Sequence, residues 1–121
     1  MIELLLPYPP SGNHMWKHAG GRHYLTESAL RYYSLVRSIV REQAKVMNLD
    51  IDLDVICVLH PPDKRRRDLD NAWKVIADAI TKAGVWQDDK FIRRLTLEWA
   101  DVRGGGMAMV SIQRRVEKTV S

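Results

Sequence analysis

The 121-residue chain predicts an α+β domain with a four-stranded mixed sheet and two helices, in the order β-α-β-α-β-β. Three observations predict it. Short segments of alternating or continuous apolar residues read as strands, and two longer segments repeat their apolar residues every three or four positions, as helices do. Clusters of Pro and Gly separate them. No internal repeat and no linker divides the chain, so residues 1–121 are expected to form one domain, which suits the length.

Ile2 to Leu6 reads as the first strand. It is ended by Pro7-Tyr8-Pro9-Pro10-Ser11-Gly12-Asn13, and irregular chain is expected onward through Trp16 to Gly20-Gly21-Arg22. A stretch this long without regular structure is usually functional in a small domain. Thr26 can cap a helix over about 27–48, whose apolar stripe is Ala29, Tyr33, Val36, Val40, Ala44 and Met47. The next strand, Ile51 to Leu59, opens with alternating Asp52 and Asp54 and closes with Ile56 and Val58. That pattern predicts a strand half-exposed at its start and buried on both faces at its end. A second helix over about 69–83 carries Leu69, Ala72, Trp73, Ile76, Ala79, Ile80 and Ala83 on its apolar side and is closed by Gly84. Leu95, Leu97 and Trp99 alternate with polar residues in a strand over about 91–101. After the Gly104-Gly105-Gly106 turn, Ala108, Val110 and Ile112 mark a last strand, expected to pair with the preceding one as a hairpin.

Composition narrows the function classes. Lys and Arg number 19 against 15 Asp and Glu, a formal net charge of +4. The excess is modest, so local clustering says more about nucleic acid than the total does. Cys57 is the single cysteine, which excludes an internal disulfide and a cysteine-rich zinc site. A reducing cytoplasm is the simple expectation. Met1 to Leu6 lacks a basic start and its apolar run stops at Pro7, so it is not expected to act as a signal peptide. No run approaches the roughly 20 apolar residues of a membrane span.

The chemistry concentrates in Lys64-Arg65-Arg66-Arg67-Asp68-Leu69-Asp70-Asn71-Ala72-Trp73-Lys74. Guanidinium groups hold a polyanion. Carboxylate oxygens suit Mg²⁺ or Mn²⁺, and a lysine steadies charge developing on phosphate. Each group also has an ordinary role. Asp68 is equally an N-cap, the Asp70–Lys74 pair is a common helix-supporting spacing, and a basic run is often a solvated loop. Asp88-Asp89, one short loop after the helix, tips the balance. A return of the chain past the site would bring more carboxylates toward Asp68 and Asp70, and such a cluster is stable once a divalent cation neutralises it.

These residues resemble RusA-type Holliday junction resolvases, a small phage-associated endonuclease family. The resemblance is carried by Arg65 to Asn71 with Lys74, by Asp78-Ala79-Ile80-Thr81-Lys82-Ala83-Gly84, by Asp88-Asp89, and by the early Pro-Pro-Ser segment at Pro9 to Ser11. It covers nearly the whole chain, most strongly its middle. The resemblance implies catalytic acids at Asp68, Asp70 and Asp89, with Asp88 as an additional metal ligand, and an essential lysine at Lys74. It implies Mg²⁺ or Mn²⁺, a homodimer, paired nicks in four-way DNA junctions, and a bacterial or phage-encoded protein at the nucleoid. Lys64, Arg65, Arg66, Arg67 and Asn71 are the expected DNA contacts, joined by Lys17 and Arg22 from the irregular stretch. Trp16, Trp73, Trp86 and Trp99 are expected to pack in or over the core, and Cys57 to be a small buried hydrophobe. Two other readings compete: a binder of branched DNA that does not cut, and a nuclease acting on flaps or other branched DNA.

Overall fold

The structure, a computed structural model, describes residues 2–45 and 47–116. Four strands form one mixed sheet: β1 (Ile2–Leu6), β4 (Leu53–His60), β5 (Ile92–Trp99) and β6 (Met107–Arg114), in the spatial order β1-β6-β4-β5. Helices α1 (Glu27–Gln43) and α2 (Leu69–Ala83) complete the predicted β-α-β-α-β-β order. A further short hairpin, β2 (Trp16–Ala19) and β3 (Arg22–Leu25), stands apart as its own two-stranded sheet.

One face of the sheet makes the core. Register places Leu4, Val110, Cys57 and Leu97 in one row, and Leu6, Ala108, Leu59 and Trp99 in the next. The helices supply Val36 and Val40 from α1 and Ile76 and Ile80 from α2, all fully buried. Trp86, just after α2, is also fully buried, and its indole N–H donates to Thr81 Oγ1 at 2.6 Å. Trp73 and Cys57 are buried as expected. Burial pushes the Cys57 thiol up to about 12.

Several expectations are corrected. The stretch after Pro7 is not irregular throughout: Gly12–His14 forms a 3₁₀ turn, and the β2–β3 hairpin follows. Gly20 and Gly21 both take positive φ, 58° and 74°, the backbone a two-residue hairpin turn of matching twist requires. Trp16 does not pack over the core but is 55% exposed on this hairpin. Helix α1 stops at Gln43, not 48, and Met47 is exposed. The amides of Asn48 and Leu49 donate instead to the carbonyls of Gly84 and Val85, bonds a continuing helix would forbid. The end of β4 is not buried on both faces, because Ile56 lies on the side of the sheet away from the core row and is 45% exposed.

β5 and β6 do not form a hairpin either. β6 lies between β1 and β4, antiparallel to both, and β5 pairs with β4 in parallel. An edge position explains why Trp99 is not core: among the described residues no strand flanks β5 on its outer side, and Trp99 retains 37% exposure. The parallel β4–β5 pair requires α2 as its crossover, and this sets where the site residues fall.

Trp86→Ala is expected to destabilise the fold by about 3–5 kcal/mol, as for other buried Trp truncations. Urea denaturation measures it; a loss under about 1 kcal/mol would show that the Trp86 pocket collapses without penalty.

Candidate active site

The loop from Pro61 to Arg67 carries the chain from the end of β4 into α2, and Asp63 organises it. Asp63 accepts hydrogen bonds from the Arg65 amide at 2.9 Å and the Arg65 side chain. Its carboxylate also pairs with Arg67 Nη1 at 2.8 Å. Arg67 Nη1 further bonds the carbonyls of Asp63 and Arg65, both at 3.2 Å, and its guanidinium lies 5.7 Å from the centre of the Tyr8 ring. Arg67 is thus a strut with only a fifth of its side chain exposed, whereas Arg65 is 81% exposed. The run Lys64 to Arg67 divides into one internal brace and three outward cations.

Asp68 caps α2, its Oδ1 accepting from the Asp70 amide at 3.1 Å. Asp70 lies in the first turn and pairs with Lys74 at 3.5 Å, with both side chains about two-thirds exposed or more. An ion pair so exposed adds little stability and leaves both groups accessible. Asn71 points across to the Pro-rich segment and accepts from the Gly12 amide at 2.8 Å. A Cβ on Gly12 would overlap the Asn71 side chain, so the close approach needs glycine there. Pro9, Pro10 and His14 on one side, and Arg66, Asp68 and Asn71 on the other, enclose a cleft of about 540 Å³. Lys17 and Arg22 are exposed on the adjoining hairpin, whose base is tied by the Thr26 amide donating to Met15 O at 2.9 Å.

The second acidic pair sits elsewhere along the helix. A crossover between parallel strands carries the chain back to the start of the sheet, so the loop after α2 lies at the end opposite its N-terminus. Asp88 caps a 3₁₀ turn there, accepting from the Lys90 amide at 2.8 Å. Asp89 is raised above the ordinary carboxylate value by partial burial first, then by Asp88 and by the charge of Asp78. The structure therefore groups Asp68, Asp70 and Lys74 at one end of α2, and Asp78, Asp88 and Asp89 together further along. Among the described residues no three Asp, Glu, His or Cys side chains gather closely enough to hold a metal ion. The donor chemistry, carboxylate oxygens alone, suits a hard divalent cation, and the mutual repulsion felt at Asp89 is of the kind a cation relieves. Tyr8 and Asp63, which brace the loop, went unrecognised in the sequence because their roles depend on contacts no local pattern encodes.

Carboxylates and a lysine on one helix, abutting a cationic loop beside an open cleft, define a small α+β domain suited to holding a phosphodiester backbone. The family profile for Endodeoxyribonuclease RusA matches residues 7–115. The chain is 34% identical over 110 residues to proteins named Crossover junction endodeoxyribonuclease RusA from Shigella sonnei (strain Ss046) and Escherichia coli (strain K12). It has the same identity to the one from Enterobacteria phage 82; in each case the match covers 91% of this chain and 92% of the relative. The chain belongs to the RusA family. Among the described residues no helix is long and apolar enough to cross a membrane.

Two outcomes test the local geometry. Arg67 and Arg65 hold the Asp63 carboxyl well below its ordinary value of 3.8. A carboxyl depressed in the folded state stabilises above its unfolded value, and that contribution is lost only as pH falls below about 3.8 toward the folded value. An NMR titration of Asp63 should therefore give a midpoint well under the free value, and an ordinary midpoint would contradict the clamp. Asn71→Ala removes the partner of the Gly12 amide, a bond of about 1 kcal/mol. Hydrogen exchange at Gly12 should quicken several-fold; unchanged protection would show that the segment is held by other contacts.

Proposed function

We propose that this protein is an endodeoxyribonuclease that resolves four-way DNA junctions, acting as a homodimer in the cytoplasm and dependent on Mg²⁺ or Mn²⁺. The observation that carries the reading is the exposed Asp70–Lys74 pair directly following the outward cations Lys64, Arg65 and Arg66. A protein that only binds DNA gains nothing from carboxylates placed beside phosphates, so the catalytic reading is favoured over the binding one. The relatives' shared name, crossover junction endodeoxyribonuclease, supports junctions over other branched DNA.

Lys64, Arg65 and Arg66 hold the sugar–phosphate backbone without reading sequence. Lys17 and Arg22 extend that cationic surface along the hairpin. Asn71 keeps the Pro-rich segment against α2 through Gly12, and Arg67 braces the loop; both also line the cleft and stay among the proposed DNA contacts. Asp68 and Asp70 would offer carboxylate donors to a cation beside the basic loop; Asp88 and Asp89, at the other end of α2, stay in the proposal on donor chemistry and charge alone and do not reach the same ion within one copy. When bound, a divalent cation polarises phosphate and makes water a stronger acid. Lys74 is placed to stabilise negative charge that grows on the phosphate during attack. A globule of this length has a radius of gyration of roughly 14 Å. One copy cannot present equivalent sites to two strands of a junction, and a two-fold pair can.

Asp70→Asn is expected to lower junction cleavage by at least about a hundred-fold, the scale of losing a group that acts in the transition state. Junction binding should be unchanged or tighter, because one negative charge near the phosphates is gone. Gel-shift and single-turnover cleavage on one labelled junction read both. Loss of binding together with cleavage would contradict the assignment.

A further inference from the structure

A second cleft, of about 550 Å³, shares the basic loop with the first. Its floor is apolar: Pro61, Trp99 and Val102. Its wall carries Lys64, Arg65, Arg66 and Arg67 around a single carboxylate, Asp63, which pairs with Arg65 and Arg67, so the balance is cationic. Trp99 is 37% exposed and Val102 43%, large apolar surfaces left open beside a wall with more cations than carboxylates. The floor is fixed in place. The Ala100 amide donates to Leu59 O at 2.8 Å and the Arg103 amide to Pro61 O at 2.9 Å, tying the chain beyond Trp99 to the end of β4. Arg65 and Arg66 line both this cleft and the one that holds Asp68 and Asn71, so the two are neighbours along one cationic ridge.

The pairing of surfaces selects the occupant. A second copy of the chain would bring its own cations against these ones. A phosphate alone would leave the indole and Val102 unused. A nucleotide offers both halves, a flat apolar ring for Trp99 and a phosphate for the guanidinium groups, and arginine can back a stacked base from the side. Bases within a duplex have their faces covered by their neighbours, so only an unstacked base fits. A branch point is where a DNA strand supplies one.

We propose that the Trp99–Val102 cleft takes one unstacked nucleobase of a strand whose phosphates lie along Lys64, Arg65 and Arg66. The inference rests on the DNA-cleaving reading and adds to it a source of preference for branched over linear DNA. Trp99 is a recognition residue here, with no part in the bond cleavage.

The test uses the full chain in EDTA with a synthetic four-way junction carrying 2-aminopurine singly at each position around the branch point. A linear duplex of the same sequence serves as control. Wild-type protein should change the emission at one position near the branch. Trp99→Ala should abolish that change and weaken junction binding roughly ten-fold, the scale of one base–aromatic stack, with duplex binding unaltered. Trp99→Phe should restore both. Unchanged junction affinity in Trp99→Ala would overturn the proposal, as would an equal loss on duplex. A change in oligomeric state on sedimentation would also overturn it, because the cleft would then be a protein contact. If Trp99→Ala fails to fold, the wild-type scan decides alone, and no altered position overturns the proposal. Wild-type protein that neither prefers nor cuts junctions would sink the nuclease reading itself, whereas cleavage by wild type with no emission change sinks only this cleft.

Discussion

The ion pair between Asp63 and Arg67 fixes the turn on which the rest of the site depends. It is short, at 2.8 Å, and Arg67 is largely shielded, with two backbone carbonyls and the Tyr8 ring around its guanidinium. The turn ends β4 and starts α2 within a few residues, so locking it locks the direction of the helix. Asp68 then caps the helix, Asp70 and Lys74 follow on its open side, and Lys64, Arg65 and Arg66 face outward. Arg67 is enclosed as the brace, Arg65 shares the same carboxylate while staying exposed, and Lys64 and Arg66 stand where a polyanion can reach them.

The parallel pairing of β4 with β5 has a comparable reach. It forces α2 to run the length of the sheet, which puts the two ends of the acidic sequence at different ends of the helix. Asp70 and Lys74 lie near the cationic loop. Asp88 and Asp89 lie with Asp78, and burial first, then these neighbours, raise the Asp89 carboxyl. Both clefts draw on the same loop, since Arg65, Arg66 and Arg67 line each of them.

Much of this was legible in the chain. Alternation gave β5 and β6, three-and-four spacing gave α1 and α2, and the caps Thr26 and Asp68 were readable because capping is a local matter. The Arg-Asp-Leu-Asp-Asn block identified the site region because its chemistry is unusual for a surface helix. What was missed depends on partners distant in sequence. The neighbour of β6 is β4 and not β5, and an alternating pattern is the same whichever strand lies alongside. The early end of α1 follows from Asn48 and Leu49 bonding to residues after α2. Trp99 alternates like a core residue, and only its place on an edge strand exposes it. The β2–β3 hairpin was the exception: Gly20-Gly21 is a local turn signal, obscured by the Pro-rich chain before it.

On the proposed reading, a carboxylate–lysine face on α2 cuts branched DNA presented by the basic loop. Cleavage of a labelled synthetic four-way junction by the wild-type chain, in Mg²⁺ and in EDTA, with linear duplex and flap DNA alongside, tests it most directly. Symmetric nicks are expected in the junction, present in Mg²⁺ and absent in EDTA, with duplex and flap left intact. Binding of the junction without cleavage in either condition would contradict it and leave a DNA-binding protein in its place.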